Sequence, residues 1–317
     1  MILILHHIIV DGWSIGVFFE EISEVYSALE AGREVQLPAQ ALQFSDFANW
    51  QRRWCTAELA TRQFAYWKDC LHEASPVFPT NVGAAGALLT SRIAHEPFHL
   101  SSDLVVRLSA LSRSQGGTLL MALLAGFKAM LLARTGRGDI CVATAMANRT
   151  QQWTERVIGP MENTTLIRTR MDSDLSFLEA LSRVRDSVLE AYARQELPFE
   201  ILSARLAEHD DVDPASLIQV FFVLQNAIRR PFELPDMVAQ SFGSAHREGQ
   251  PVLPIDRARL TLMLREGPSG IGGSVTYNKA LFATDELQHW IANYKAILAK
   301  AASHPDMSLG RLADHLG

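Results

Sequence analysis

The sequence predicts a layered α/β fold. Its 317 residues are 48% apolar and 20% charged, enough for a substantial core and unlike a peptide, a coiled coil or a disordered tail. Strand-like runs alternate with stretches of helical period, but without the regular strand–helix–strand rhythm of a Rossmann or TIM arrangement. Residues 74–90 (ASPVFPTNVGAAGALLT) carry prolines and glycines without periodicity and read as a linker between two parts.

The first element is the apolar run Met1-Ile-Leu-Ile-Leu5, which reads as a buried strand. Such a strand needs neighbours on both sides, and nothing upstream supplies one, so the chain is expected to begin inside a domain. The run lacks a basic flank and is too short for a secretory signal or a bilayer span. Ile15, Phe18, Phe19, Ile22, Val25, Tyr26 and Leu29 then recur at helical spacing, with Asp11 or Ser14 as N-cap and Gly32 past the last turn, which predicts a helix over about 14–31. The aromatic stretch from Phe44 to Trp67 reads as one or two helices laid over a core.

Beyond the linker, a strand is predicted at 92–99, followed by a helix carrying Leu104, Val105, Leu108 and Leu111 on one face. Thr118 caps a second helix, so apolar on all sides that it must be deeply buried, to about Ala133. Strands at Ile140–Met146 and Thr164–Met171, an amphipathic helix from Asp174 to Ala193 and a buried strand from Leu217 to Leu224 come next. Pro198 marks a helix start with Phe199 packed beneath it. A polar segment with Pro231, Pro235, Pro251 and Pro254 reads as a long excursion, of the kind more often functional than idle. Strands at Leu260–Arg265 and Gly272–Tyr277 and a terminal helix from Thr284 to Ala302 complete the set.

The charge balance narrows the partners. Lysine and arginine total 29 against 35 acidic residues, a net charge of −6, and no basic block occurs, so neither nucleic acid nor an anionic membrane surface is an expected partner. A small molecule or a protein is. Cys55, Cys70 and Cys141 are odd in number and lack metal-ligand spacing, which fits a reducing, cytoplasmic setting.

Chemistry concentrates in His6-His7-Ile-Ile-Val-Asp11-Gly12-Trp13-Ser14, at the predicted junction of strand and helix. Such a junction holds side chains rigidly and points backbone N–H groups into the same space. An imidazole there can take a proton from an attacking amine or hydroxyl, or orient it against an acyl carbon. Asp11, set beyond the turn, cannot easily share a face with His7 and is expected to pair with an arginine and brace the loop. Gly12 would let the backbone turn tightly and approach a ligand. Spacing alone leaves catalysis and a structural role for the histidines about equally open. Adjacent residues of a strand point to opposite faces, so His6 and His7 are poorly placed to share an ion, and no metal is expected. A phosphate-binding loop and a dinucleotide fingerprint are absent from the sequence.

Taken together, the motifs resemble those of the condensation domains of nonribosomal peptide synthetases. His6 to Ser14 looks like the family's central motif, and Phe44-Ser-Asp-Phe-Ala-Asn-Trp50 like the next. Ala147-Asn-Arg149-Thr with Ile158-Gly-Pro-Met-Glu-Asn163-Thr-Thr-Leu-Ile-Arg168, then Arg194-Gln-Glu-Leu-Pro198-Phe199-Glu200, and last Ile218 to Asn226, are similar to later motifs in the family's order. The flank Asp11-Gly-Trp-Ser-Ile-Gly16 resembles condensing rather than epimerising or heterocyclising members. The family's first two motifs have no counterpart; Pro160-Met-Glu162 stands where a bulky apolar run is usual; the last motif is poorly kept at Asp213-Pro-Ala-Ser-Leu217.

The resemblance implies a chloramphenicol-acetyltransferase-like fold, two α/β sandwich lobes in a V around a tunnel, with the amino-terminal lobe incomplete. Residues 1–80 would be the remainder of that lobe, 81–91 a linker and 92–317 the carboxy-terminal lobe. Upstream and downstream peptidyl carrier proteins, with other synthetase domains, would be the partners. They would present donor and acceptor thioesters on phosphopantetheine arms, so the chain itself needs no cofactor. His7 would position or deprotonate the acceptor amine; His6 and Asp11 would support the loop, and the Gly12 N–H would meet the developing oxyanion. Trp13 and Ser14 would buttress the motif. Arg149 is the expected partner of Asp11, with Arg168 in reserve. Asn163 and Gln225 are expected either to line the tunnel or to satisfy local backbone. Two other functions stay open: a related His-x-x-x-Asp acyltransferase using a coenzyme A thioester, and a non-catalytic fragment that only binds carrier proteins.

Overall fold

The computed structural model describes residues 3–39, 42–55, 57–78, 93–209, 214–225, 234–235 and 258–314. The linker at 81–91 lies outside these residues, as does the proline-bearing excursion apart from 234–235. The chain forms two compact units, one from residues 1–63, 146–163 and 226–246, the other from 64–145, 164–225 and 247–317. They therefore do not follow the contiguous 1–80 and 92–317 division: residues 64–78 group with the second unit and 146–163 with the first.

In the first unit, α1 (Gly12–Glu30) begins where Asp11, in extended backbone, accepts the Ser14 N–H at 2.7 Å. This is an N-cap, satisfying an amide that the helix cannot. Gly32, at φ +62°, follows the helix end. Next comes α2 (Phe44–Trp54), and Asp46 Oδ2 accepts the Gln43 N–H at its start at 2.8 Å. Its Phe44, Phe47 and Trp50 pack against Trp153, Val157 and Met161, giving this unit a small aromatic core. Among the described residues the expected opening strand is not found. Residues 3–5 adopt no regular structure, and Ile4 is 90% exposed. An apolar run becomes a strand only when a neighbour takes its backbone groups, and no strand among the described residues pairs with this one.

The helix α3 (Ala57–Leu71) contains the division between the units at 63/64. The second unit is a six-stranded mixed sheet: β1 (Ile93–Ser101), β2 (Asp139–Met146), β3 (Asn163–Arg170), β4 (Val220–Gln225), β5 (Leu260–Gly267) and β6 (Gly270–Asn278), in the order β1-β6-β5-β4-β2-β3. Strands β1, β6 and β5 run as antiparallel neighbours, whereas β4 pairs in parallel with both β5 and β2. The helices α4 (Ser102–Ser114), α5 (Leu119–Thr135), α6 (Phe177–Tyr192) and α9 (Thr284–Ser303) pack on one another, with α4 and α9 also on the sheet. Three shorter helices, α7 (Phe199–His209), α8 (Pro214–Leu217) and α10 (Leu309–Ala313), fill in the rest.

The apolar pattern of α5 explains its place: Met121 to Leu131 are buried throughout, Phe127 meeting Phe222 of β4 and Gly126 facing Leu298 of α9. Lys128 is the exception, sealed among apolar residues with its Nζ donating to the carbonyls of Ile140 and Ile167 and to Thr169 Oγ1 at 2.7–3.1 Å. No single helix among the described residues is long and apolar enough to cross a membrane.

Candidate active site

The site is built on the loop that leads into α1. Its residues 6–9 form a tight turn in which the Ile9 N–H donates to the His6 carbonyl at 3.1 Å and the Ile8 N–H to His6 Nδ1 at 3.1 Å. His6 is thus exposed and engaged with its own loop, a supporting role in geometry. His7 is partly exposed, with Nε2 3.4 Å from Glu162 Oε1.

Below the turn, Asp11 is almost completely buried and serves as a hub. Arg149 Nη2 donates to both of its oxygens, at 3.0 and 3.1 Å. The Met161 N–H donates to Oδ2 at 3.0 Å, and the Ser14 hydroxyl to Oδ1 at 2.7 Å, besides the capped Ser14 N–H. Each donor is the answer to a buried charge, which is tolerable only when paired and hydrogen-bonded. Arg149 extends the hub by donating through Nη1 to the carbonyls of Thr154 and, at 2.7 Å, Val157. Burial pulls its guanidinium below the ordinary arginine range, and the Asp11 charge opposes that pull. Ser14 Oγ also accepts the Gly159 N–H at 3.0 Å, and Trp13 Nε1 donates to the Glu155 carbonyl at 2.8 Å. The segment 146–163 is therefore latched to the helix start at several points.

This arrangement divides the candidate residues. Both oxygens of Asp11 are taken up by donors of this chain. Gly12 heads α1 without a left-handed φ, so the tight turn expected to need a glycine there is not found; a Cβ at this exposed position would meet nothing within 4 Å. The opening that remains beside its backbone is what a close-approaching ligand requires. His7 is left as the titratable ring at the exposed edge.

Arg149 takes the place expected for it, and the reserve, Arg168, is engaged elsewhere. Its guanidinium pairs with Asp139 in the second unit and donates to the carbonyls of Cys70 and His72 at 2.8 and 2.7 Å, tying down the end of α3. Asn163 is buried at the first position of β3. Gln225 belongs to the second unit and accepts from Arg265 Nε and Nη2 at 2.9 and 2.6 Å, a pairing across neighbouring strands. Glu162 was not among the expected site residues. The signal for it was present as an acidic side chain in a position where the family pattern is apolar. Burial raises its carboxyl above the ordinary range; the His7 charge opposes and the Asp11 charge reinforces that shift. No group of three or more His, Cys, Asp or Glu side chains suited to a metal ion occurs among the described residues.

Comparison with known proteins gives the family. The family model described as "Condensation domain" matches residues 1–313. One of the linear gramicidin synthase proteins of Brevibacillus parabrevis is 36% identical over 310 residues, covering 97% of this chain and 6% of the relative's length. The chain belongs to the condensation-domain family of the nonribosomal peptide synthetases. Among solved structures, the condensation domain from Monacolin K polyketide synthase MokA superposes with a TM-score of 0.78 at 21% identity, covering 96% of this chain and 69% of that one. A four-domain nonribosomal peptide synthetase, holo-AB3403 bound to AMP and glycine, gives 0.78 at 19% identity, with 97% of this chain and 24% of the other covered. The mixed sheet and its helices are thus the chloramphenicol-acetyltransferase-like α/β fold.

Proposed function

We propose that this chain forms an amide bond between a donor acyl thioester and an acceptor aminoacyl thioester, each presented on the phosphopantetheine arm of a carrier protein. The observation that supports it is the division of labour in the motif: Asp11 is consumed in bracing the loop, which leaves the His7 imidazole as the group able to meet an amine. The acceptor nitrogen attacks the donor carbonyl carbon, and the proton it sheds passes by way of His7 to the departing thiolate sulfur. The C–N bond forms, the C–S bond breaks, and the lengthened chain stays on the acceptor arm. Holding two thioesters in line lowers the barrier through proximity, and the Gly12 N–H is offered to the carbonyl oxygen as charge develops there. The partners on this reading are the upstream and downstream carrier proteins and neighbouring synthetase domains, in the cytoplasm, and the chain brings no cofactor of its own.

The test presents the 317-residue chain with loaded donor and acceptor carrier proteins and follows amide product by mass spectrometry. Product that falls by about a hundredfold or more in His7→Ala is the expected result. Product from a coenzyme A thioester but not from carriers would establish the related acyltransferase activity instead. Carrier binding without product would mark a non-catalytic protein.

A further inference from the structure

Glu162 stands out because its place is fixed by the same hub that fixes Asp11. The preceding residue, Met161, gives its N–H to Asp11 Oδ2 at 3.0 Å, and the following one, buried Asn163, opens β3. With the backbone pinned on both sides, the Glu162 side chain reaches His7, its Oε1 lying 3.4 Å from Nε2. We propose that Glu162 is a positioning residue for His7: its carboxylate holds the imidazole through Nε2 and supplies the counter-charge when that ring carries a proton.

The catalytic consequence rests on the amide-forming reading above. As the amine attacks, its proton moves to His7, and the positive charge that forms lies beside the ionised Glu162 before the proton passes on to the thiolate sulfur. The charged groups acting on Glu162 are His7 and Asp11, and the charge of Asp11 is offset by Arg149. Burial and Asp11 shift the Glu162 carboxyl upward. The counter-charge is therefore withdrawn at a higher pH than an ordinary glutamate would dictate, and the acid limb of the pH–rate profile acquires a Glu162 contribution.

Two measurements on the full chain test this. In 15N-histidine NMR spectra, with the His7 signals assigned by their loss in His7→Ala, the wild-type ring resonances are expected to show an inflection from ionisation of Glu162. That inflection is expected to vanish in Glu162→Gln. In the carrier-protein assay, Glu162→Gln is expected to lower kcat about tenfold with KM within about twofold and to flatten the acid limb, and Glu162→Asp to recover part of both. Superposable His7 curves in wild type and Glu162→Gln, or an unchanged pH profile in the variant, would overturn the proposal. If wild type makes no amide at any pH, the amide-forming reading falls, and the NMR comparison alone decides whether Glu162 holds His7.

Discussion

Arg149 and Asp11 each expose about 2% of their side chains, and neither charge has water to fall back on. Removing one leaves the other stranded, at a cost of about 3–5 kcal/mol. Arg149→Ala is accordingly expected to lower the unfolding free energy of the chain by that order, read as a lower urea midpoint, and the double variant with Asp11→Ala to be less destabilised than the sum of the two singles. Additive losses in a double-mutant cycle would remove the pair from its bracing role. This contact was legible in the sequence because an acid placed past a turn cannot face His7 and needs a cation. Glu162 was not, because its significance comes from the latch of residues 146–163 onto the start of α1, which brings together positions more than a hundred apart. A charge in an apolar slot shows that something is unusual without showing what it meets.

Helices and sheet strands were both readable, β1 to β6 lying within a few residues of the expected runs. A helix satisfies its backbone within itself, so period and caps suffice, and α1, α5 and α9 lie within a few residues of their expected bounds. The opening run failed as a strand because strand formation is a property of a pair. The short helices α8 and α10 carry too few turns for a period to emerge. The motif glycine at 159 illustrates a constraint visible only in packing: a Cβ there would lie 2.3 Å from Phe44 Cδ2 and 2.8 Å from Phe44 Cβ. Gly159→Ala is expected to push α2 off the hydrophobic cluster of Trp153, Val157 and Met161 and to destabilise the first unit by about 1–3 kcal/mol, read as a lower unfolding midpoint in tryptophan fluorescence. An unchanged midpoint would mean that Phe44 moves freely, contrary to the packing described.

At the scale of the whole molecule, the pH response of stability is expected to be governed in part by Lys128. Burial pushes its ammonium down from 10.5 to about 7 in the folded chain, against the pull of three hydrogen-bond acceptors that suit the charged form. Between those two values the unfolded chain binds the proton and the folded chain does not, so this group makes stability rise with pH, by up to about 1.4 kcal/mol per unit. Below about 7 its full penalty is present. The Cys141 thiol, pushed by burial from 9.0 to about 12, acts in the opposite direction once unfolded thiols ionise. A urea midpoint that climbs from pH 7 to 8.5 and flattens in Lys128→Met is the expected outcome; equal slopes in the two proteins would show that the ammonium keeps its charge in the folded state.

The path of residues 146–163 has a consequence for how such a domain can be rebuilt. The chain leaves the second unit at the end of β2 and re-enters it at the start of β3, and those strands are neighbours in the sheet. The two ends of the insertion are therefore stapled about one strand spacing apart, and it behaves as a closed loop rather than a tether. A recombination event that exchanges only the leading segment would pair a foreign Asp11 and Ser14 with a resident Arg149 and Gly159. Functional chimeras of this protein should tolerate crossovers that move both stretches together, and lose their buried ion pair wherever a single breakpoint divides incompatible halves of the latch.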